Sequence, residues 1–235
     1  MNINYFDEDN NGLNSNERVV DNTPTEEDII AKQEKERANA ALRQGYAFLG
    51  KWIFYYFILI VPSIVAGVLQ AIDTVPTMVL IGNIISIAVS VASIVILIKL
   101  GDYDKNYRTA GLLTIPGFIF NLIEVIAFYG VDVPLWYSGI GIVVGIIGMY
   151  ATYLEIKTHA YITATVDPML SASWTKLWKW ILICTIGTIC SAFLILIPFL
   201  GALLLIGFAI GLVVVSIIKL VYLYRTAKLF QALSY

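Results

Sequence analysis

Ile98-Lys99-Leu100-Gly101-Asp102-Tyr103-Asp104-Lys105-Asn106-Tyr107-Arg108-Thr109-Ala110 is written three times in this chain, once in full and twice in part. Its two halves return as Ile218, Lys219 and Tyr224, Arg225, Thr226, Ala227. A weaker copy reads Ile156, Lys157 and Tyr161, Ile162, Thr163, Ala164. Each copy closes a long apolar stretch, and self-similarity at a period of about 60 residues points to an array of similar units.

The apolar stretches decide the class. A chain of 235 residues that is 59% hydrophobic, with mean hydropathy +0.80, has more apolar surface than a soluble core can hide. The reading is an all-α, polytopic membrane bundle. A span of the hydrocarbon core needs about 20 apolar residues, and the uncharged or nearly uncharged runs supply six, at about 52–72, 76–98, 110–130, 134–154, 180–198 and 201–222. The last two come from Trp180–Ile218, which carries no charge. As one helix at 1.5 Å per residue it would be about twice as long as the core is thick, so it must turn back, with Pro198 and Gly201 marking the turn.

Paired outward and inward helices make three two-helix hairpins, each ending in the Ile-Lys and Tyr-x-Thr-Ala signature. The first and third match best, since both open on Lys-Trp-Ile, at Lys51–Ile53 and Lys179–Ile181. Such units point the same way and are expected to superpose about an axis along the membrane normal.

Lys and Arg stay in short cytoplasmic loops. The loops near Asp73, Asp132 and Pro198 carry none, whereas Lys99, Lys105 and Arg108, then Lys157, Lys176 and Lys179, then Lys219, Arg225 and Lys228 all fall on the other side. The reading is a multi-pass protein of the cell membrane with both termini cytosolic. The five tryptophans, read at helix ends or in a loop, suit the interfaces.

Residues 1–45 form a cytosolic tail. The first 44 residues hold ten acidic and five basic side chains, and residues 1–22 read as disordered. Thr23 and Glu26 have capping-box spacing and Pro24 suits a first helical position, so a helix is expected over 24–44, with Gly45 as its stop. Residues 229–235 are read as a cytosolic C-terminus. Between the second and third hairpins, Asp167 can cap and Pro168 can open a short amphipathic helix lying in the inner interface. Small residues four apart, Ser63 with Gly67, Gly82 with Ser86 and Ser90, Gly141 with Gly145 and Gly207 with Gly211, allow close helix approach in lipid.

The chemistry-bearing residue types are sparse, and the reading is not an enzyme. The single histidine, His159, is read as a solvated loop residue with no second ligand, so no metal site and no cofactor is expected. No zinc-protease, nucleophile-elbow or phosphate-loop motif occurs. Cys184 and Cys190 are read as small packing residues. Basic residues are too dispersed for nucleic acid.

One charge lies well inside a span. Thirteen residues inward from Gly111, Glu124 sits about 20 Å across the ~30 Å core. Ser63, Asn83 and Ser191 come to a similar depth on other helices, and Asn121 lies one turn away on the same helix. These define a possible intramembrane polar site of Glu124, Asn121, Asn83, Ser63 and Ser191.

Two functions follow as expectations. The first is a non-enzymatic interaction or assembly platform, with the bilayer and a cytosolic or membrane protein, engaged through the N-terminal tail, as partners. The alternative is a small-solute or ion transporter using the acidic site at Glu124.

Overall fold

The computed structural model describes residues 26–71, 76–128, 133–193 and 200–235, all of them helical apart from short connections and ends. Six helices follow one another: α1 (Glu26–Ala71), α2 (Pro76–Leu100), α3 (Lys105–Ala127), α4 (Leu135–Ala164), α5 (Pro168–Phe193) and α6 (Leu200–Leu233). Five of them, α1, α2, α3, α4 and α6, are long and apolar enough to cross a membrane. The protein is thus a helical, multi-pass membrane protein. In α5, Lys176 and Lys179 interrupt the apolar pattern and leave Trp180–Phe193 as its longest uncharged run.

Local chemistry sets the helix ends. The Asp104 carboxylate accepts from the Asn106 backbone N–H at 2.8 Å and caps α3. At the start of α5, Asp167 accepts from the Leu170 N–H at 2.9 Å, with Pro168 as the first helical residue, as the sequence spacing predicts. Between α2 and α3 the chain turns at Gly101, where a Cβ would stand 2.4 Å from that of Arg108, so only glycine lets the two helices meet this closely.

Four boundaries differ from the sequence reading. Gly45 does not stop a helix: α1 runs through it without a break, because one glycine costs a helix only about 1 kcal/mol and the space beside it is taken by the Tyr103 ring. The amphipathic segment after Asp167 is no separate interfacial helix but the first turns of α5, with Leu170, Trp174 and Leu177 buried. Helix α4 continues past residue 154 to Ala164, and α6 past residue 222 to Leu233 with Phe230 fully buried. The expected caps at Thr23 and Pro24 and the turn at Pro198 lie outside the described residues, whereas Gly201 belongs to α6.

Residues up to Ala40 form one compact unit and Ala41–Tyr235 another. In the first, every described side chain of the helix is exposed, Ile29 and Ile30 included. In the second, α2–α3, α3–α4, α4–α5 and α5–α6 pack as neighbours. Helix α1 packs on α2 where a Cβ on Gly82 would come within 2.9 Å of the Ala66 carbonyl, and on α6 where one on Gly50 would come within 2.8 Å of the Gln231 backbone nitrogen. The small-residue pairs divide accordingly: Gly82, Gly141 and Gly211 meet a neighbouring helix, while Gly67, Gly145 and Gly207 face open space. A glycine on the outer face of its helix has no partner backbone to approach, so spacing alone overstates the seams.

The core of this unit is lopsided. Leu49, Leu100, Tyr107, Trp174, Leu223 and Phe230 are all fully buried, and they cluster around the ends of the helices that meet at the α2–α3 and α4–α5 connections. Toward the other end the helices present Val61, Ile64, Ile126, Ile142 and Ile206 outward, each more than half exposed, as lipid-facing side chains do.

Candidate functional site

Two polar assemblies lie in the bundle. The first is built on α4, where Glu155 and His159 are one turn apart and only 4% and 0% exposed. Tyr56 on α1 donates its hydroxyl to Glu155 Oε2 at 3.1 Å, and Lys219 on α6 brings Nζ to 2.8 Å from Oε1. The same ammonium lies 5.6 Å from the centre of the Tyr56 ring, a cation–π distance. One carboxylate is thereby held by donors from two other helices. Burying two charges is tolerable only when each has such a partner.

His159 is the hub of the second half of this assembly. Its Nδ1 is 2.7 Å from the Tyr107 hydroxyl on α3, and its ring stacks on Trp174 of α5 at 4.6 Å between centroids. The Trp174 indole N–H donates to Thr226 Oγ1 on α6 at 3.1 Å, and Thr226 in turn donates to the Tyr222 carbonyl at 2.7 Å. With the tyrosine donating to Nδ1, the imidazole proton sits on Nε2, which faces Glu155 Oε1 at 3.9 Å. Oε1 is met by the Lys219 ammonium as an ion pair, while Nε2 is a buried polar atom lacking a hydrogen-bond partner. Thr158 and Thr163, also buried, return their hydroxyls to carbonyls one turn back on α4.

His159 is therefore not a solvated loop residue but a fully buried member of a helix. The sequence holds a partial signal for it: Glu155 and His159 share a helical face at i, i+4, and Lys219 closes another apolar run. Trp174 is likewise core rather than interfacial, and Cys190 is exposed while Cys184 packs inside.

The repeated motif divides across different surroundings. Tyr107, Thr163 and Thr226 are fully buried, and Lys219 is paired with Glu155. Lys99, Arg108, Thr109, Lys157, Tyr161, Tyr224 and Arg225 are exposed. The copy at Ile98–Ala110 straddles the connection between α2 and α3, whereas the other two each lie within one helix. Equivalent letters thus meet unequal neighbours.

The second assembly is a cavity of about 700 Å³ between α1, α2 and α3. Its polar wall is Gln70, Asn83, Ser86, Ser90, Asn121 and Glu124. Gln70 Nε2 donates to Asn83 Oδ1 at 2.9 Å across the α1–α2 contact, and Ser90 donates to the Ser86 carbonyl. Of the five residues expected to form an intramembrane site, Asn83, Asn121 and Glu124 line this one space. Ser63 is exposed on α1, and Ser191 is buried on α5 with its hydroxyl on the Gly187 carbonyl. Asn121 and Glu124 are exposed, and among the described residues the Glu124 side chain makes no hydrogen bond or ion pair.

No group of three or more His, Cys, Asp or Glu side chains that could hold a metal occurs among the described residues. No protein-family model matches the chain, and neither a curated protein nor a solved structure is similar to it.

Proposed function

We propose that this is a six-span protein of the cell membrane, with both termini cytosolic, acting as a non-enzymatic interaction or assembly platform. The observation that carries the reading is the Tyr56–Glu155–Lys219 and Tyr107–His159–Trp174–Thr226 assembly. It ties α1, α3, α4, α5 and α6 at one end and makes that end a rigid support. Around it Lys99, Lys105, Arg108, Lys157, Lys176 and Lys228 are exposed, a rim suited to the cytosolic side and to acidic partners or headgroups. The exposed helix up to Ala40, with Ile29 and Ile30 uncovered, supplies a second contact element. The sixth span is assigned to the uncharged run of sequence that begins at Trp180. The three hairpins and the duplication of the first and third are kept as part of this proposal, supported by the shared Lys-Trp-Ile and Tyr-Arg-Thr-Ala words.

Cross-linking in intact membranes followed by mass spectrometry tests the platform. A partner captured by the full chain and lost on deleting residues 1–40 supports it, and an equal yield from both chains removes the tail from the mechanism. A second reading, small-solute transport, is favoured by the cavity at Glu124 and predicts flux in proteoliposomes.

A further inference from the structure

We infer that the cavity between α1, α2 and α3 is a binding site for a small organic cation of the alkylammonium class, with Glu124 as its counter-charge. This goes beyond the platform, and it uses the cavity of the transport reading without requiring that the occupant cross the membrane.

The volume of about 700 Å³ falls inside the roughly 300–1,000 Å³ span of small-molecule sites. Its chemistry is one-sided. The lining has one carboxylate, amide oxygens from two or more helices and two serines, and no Lys, Arg or His. An anionic solute would meet no counter-charge in this lining. A cation finds one that is otherwise uncommitted, because Glu124 is unpaired among the described residues while Glu155, at the other end of the bundle, is held by Lys219.

A bare divalent metal is poorly served by a single carboxylate. An alkylammonium is served better, because two phenyl rings, Phe118 and Phe128, line the same space. Aromatic rings attract ammonium groups at exposed sites as well as enclosed ones, and here they stand beside an exposed carboxylate in an open-sided pocket. Phe128 is held in place by Tyr137, whose ring lies 4.8 Å away and whose hydroxyl donates to the Phe120 carbonyl at 2.6 Å. The Gln70–Asn83 hydrogen bond uses one amide N–H and one carbonyl, leaving the Gln70 carbonyl free to accept from an N–H. Carboxylate, amide oxygens and aromatic faces converge from three helices, a lining that takes an ammonium and leaves a neutral isostere with nothing to gain.

The test uses the full chain in nanodiscs of phosphatidylglycerol, which has no ammonium headgroup, and follows the thermal unfolding midpoint as ligand is added. Choline and tetramethylammonium are expected to raise it saturably, and 3,3-dimethylbutanol, the uncharged carbon counterpart of choline, is expected not to. Glu124→Gln should weaken the choline response by roughly tenfold or more, and Phe128→Leu by several-fold. If the midpoint instead rises only when phosphatidylcholine is built into the nanodisc, and does so through Glu124, the ammonium comes from a lipid headgroup. Equal responses to choline and its uncharged counterpart, or an unchanged choline response in Glu124→Gln, would overturn the site. Should Glu124→Gln be recovered poorly, the ligand comparison on the unaltered chain decides alone. Binding without flux in proteoliposomes upholds the site and defeats only the transport reading.

Discussion

Replacing Lys219 by methionine keeps the length of the side chain and removes its charge, leaving Glu155 buried at 4% exposure with only the Tyr56 hydroxyl to satisfy it. Removing one member of a buried ion pair costs about 3–5 kcal/mol, because the remaining charge has been taken out of water without compensation. The Lys219 side chain keeps 20% of its surface open, so the lower end, about 3 kcal/mol, is expected. Pairing it with Glu155→Gln should restore stability to within about 1 kcal/mol of the unaltered protein, since neutral groups of the same shape carry no such penalty. The four proteins of the cycle would be unfolded by SDS titration in mixed micelles and followed by circular dichroism. A Lys219→Met cost below about 0.5 kcal/mol, or a double variant equal to the sum of the singles, would refute the buried pair as the fastening of α4 to α6.

Trp174→Ala should cost about 3–5 kcal/mol in the same assay, as a fully buried ring is lost. Trp174→Phe should cost about 1–2 kcal/mol for the missing indole N–H to Thr226, and a Trp174→Phe cost near zero would show that the hydrogen bond contributes nothing. Gly50→Ala, whose Cβ would meet the backbone of Gln231 and Ala227, should destabilise by about 1–3 kcal/mol. Gly207→Ala meets nothing and should be neutral or stabilising by up to about 1 kcal/mol. Cysteines introduced at positions 73, 132 and 201 should react with an impermeant thiol reagent added outside intact cells, and one at 105 should not; the reverse pattern inverts the proposed orientation.

What sequence alone determines here is the class of the protein. Runs of about 20 uncharged residues have no stable home in water, and their backbone polar groups are satisfied only as helices, so membrane helices follow from composition without any long-range contact. Capping is equally local, which is why Asp167 and Pro168 announce the start of α5 correctly. Helix ends beyond the apolar runs are another matter. That α1 passes through Gly45 and that α6 carries Phe230 into the core depends on neighbours that no local pattern describes.

The polar sites show the same division. Glu124 stands out in sequence because it is alone in an apolar run, and its meeting with Asn83 and Asn121 around one cavity is a matter of how α2 and α3 are rotated against each other. The Glu155–Lys219 pair is hidden for the opposite reason: each charge sits at the edge of an apolar run, where charges are ordinary. Only the packing of α1, α4 and α6 takes both out of water and makes each the other's counter-charge. Burial is a property of the assembled helices, and with it comes the energetic weight of the same side chains: strong where a charge is enclosed and paired, slight where water or headgroups reach it.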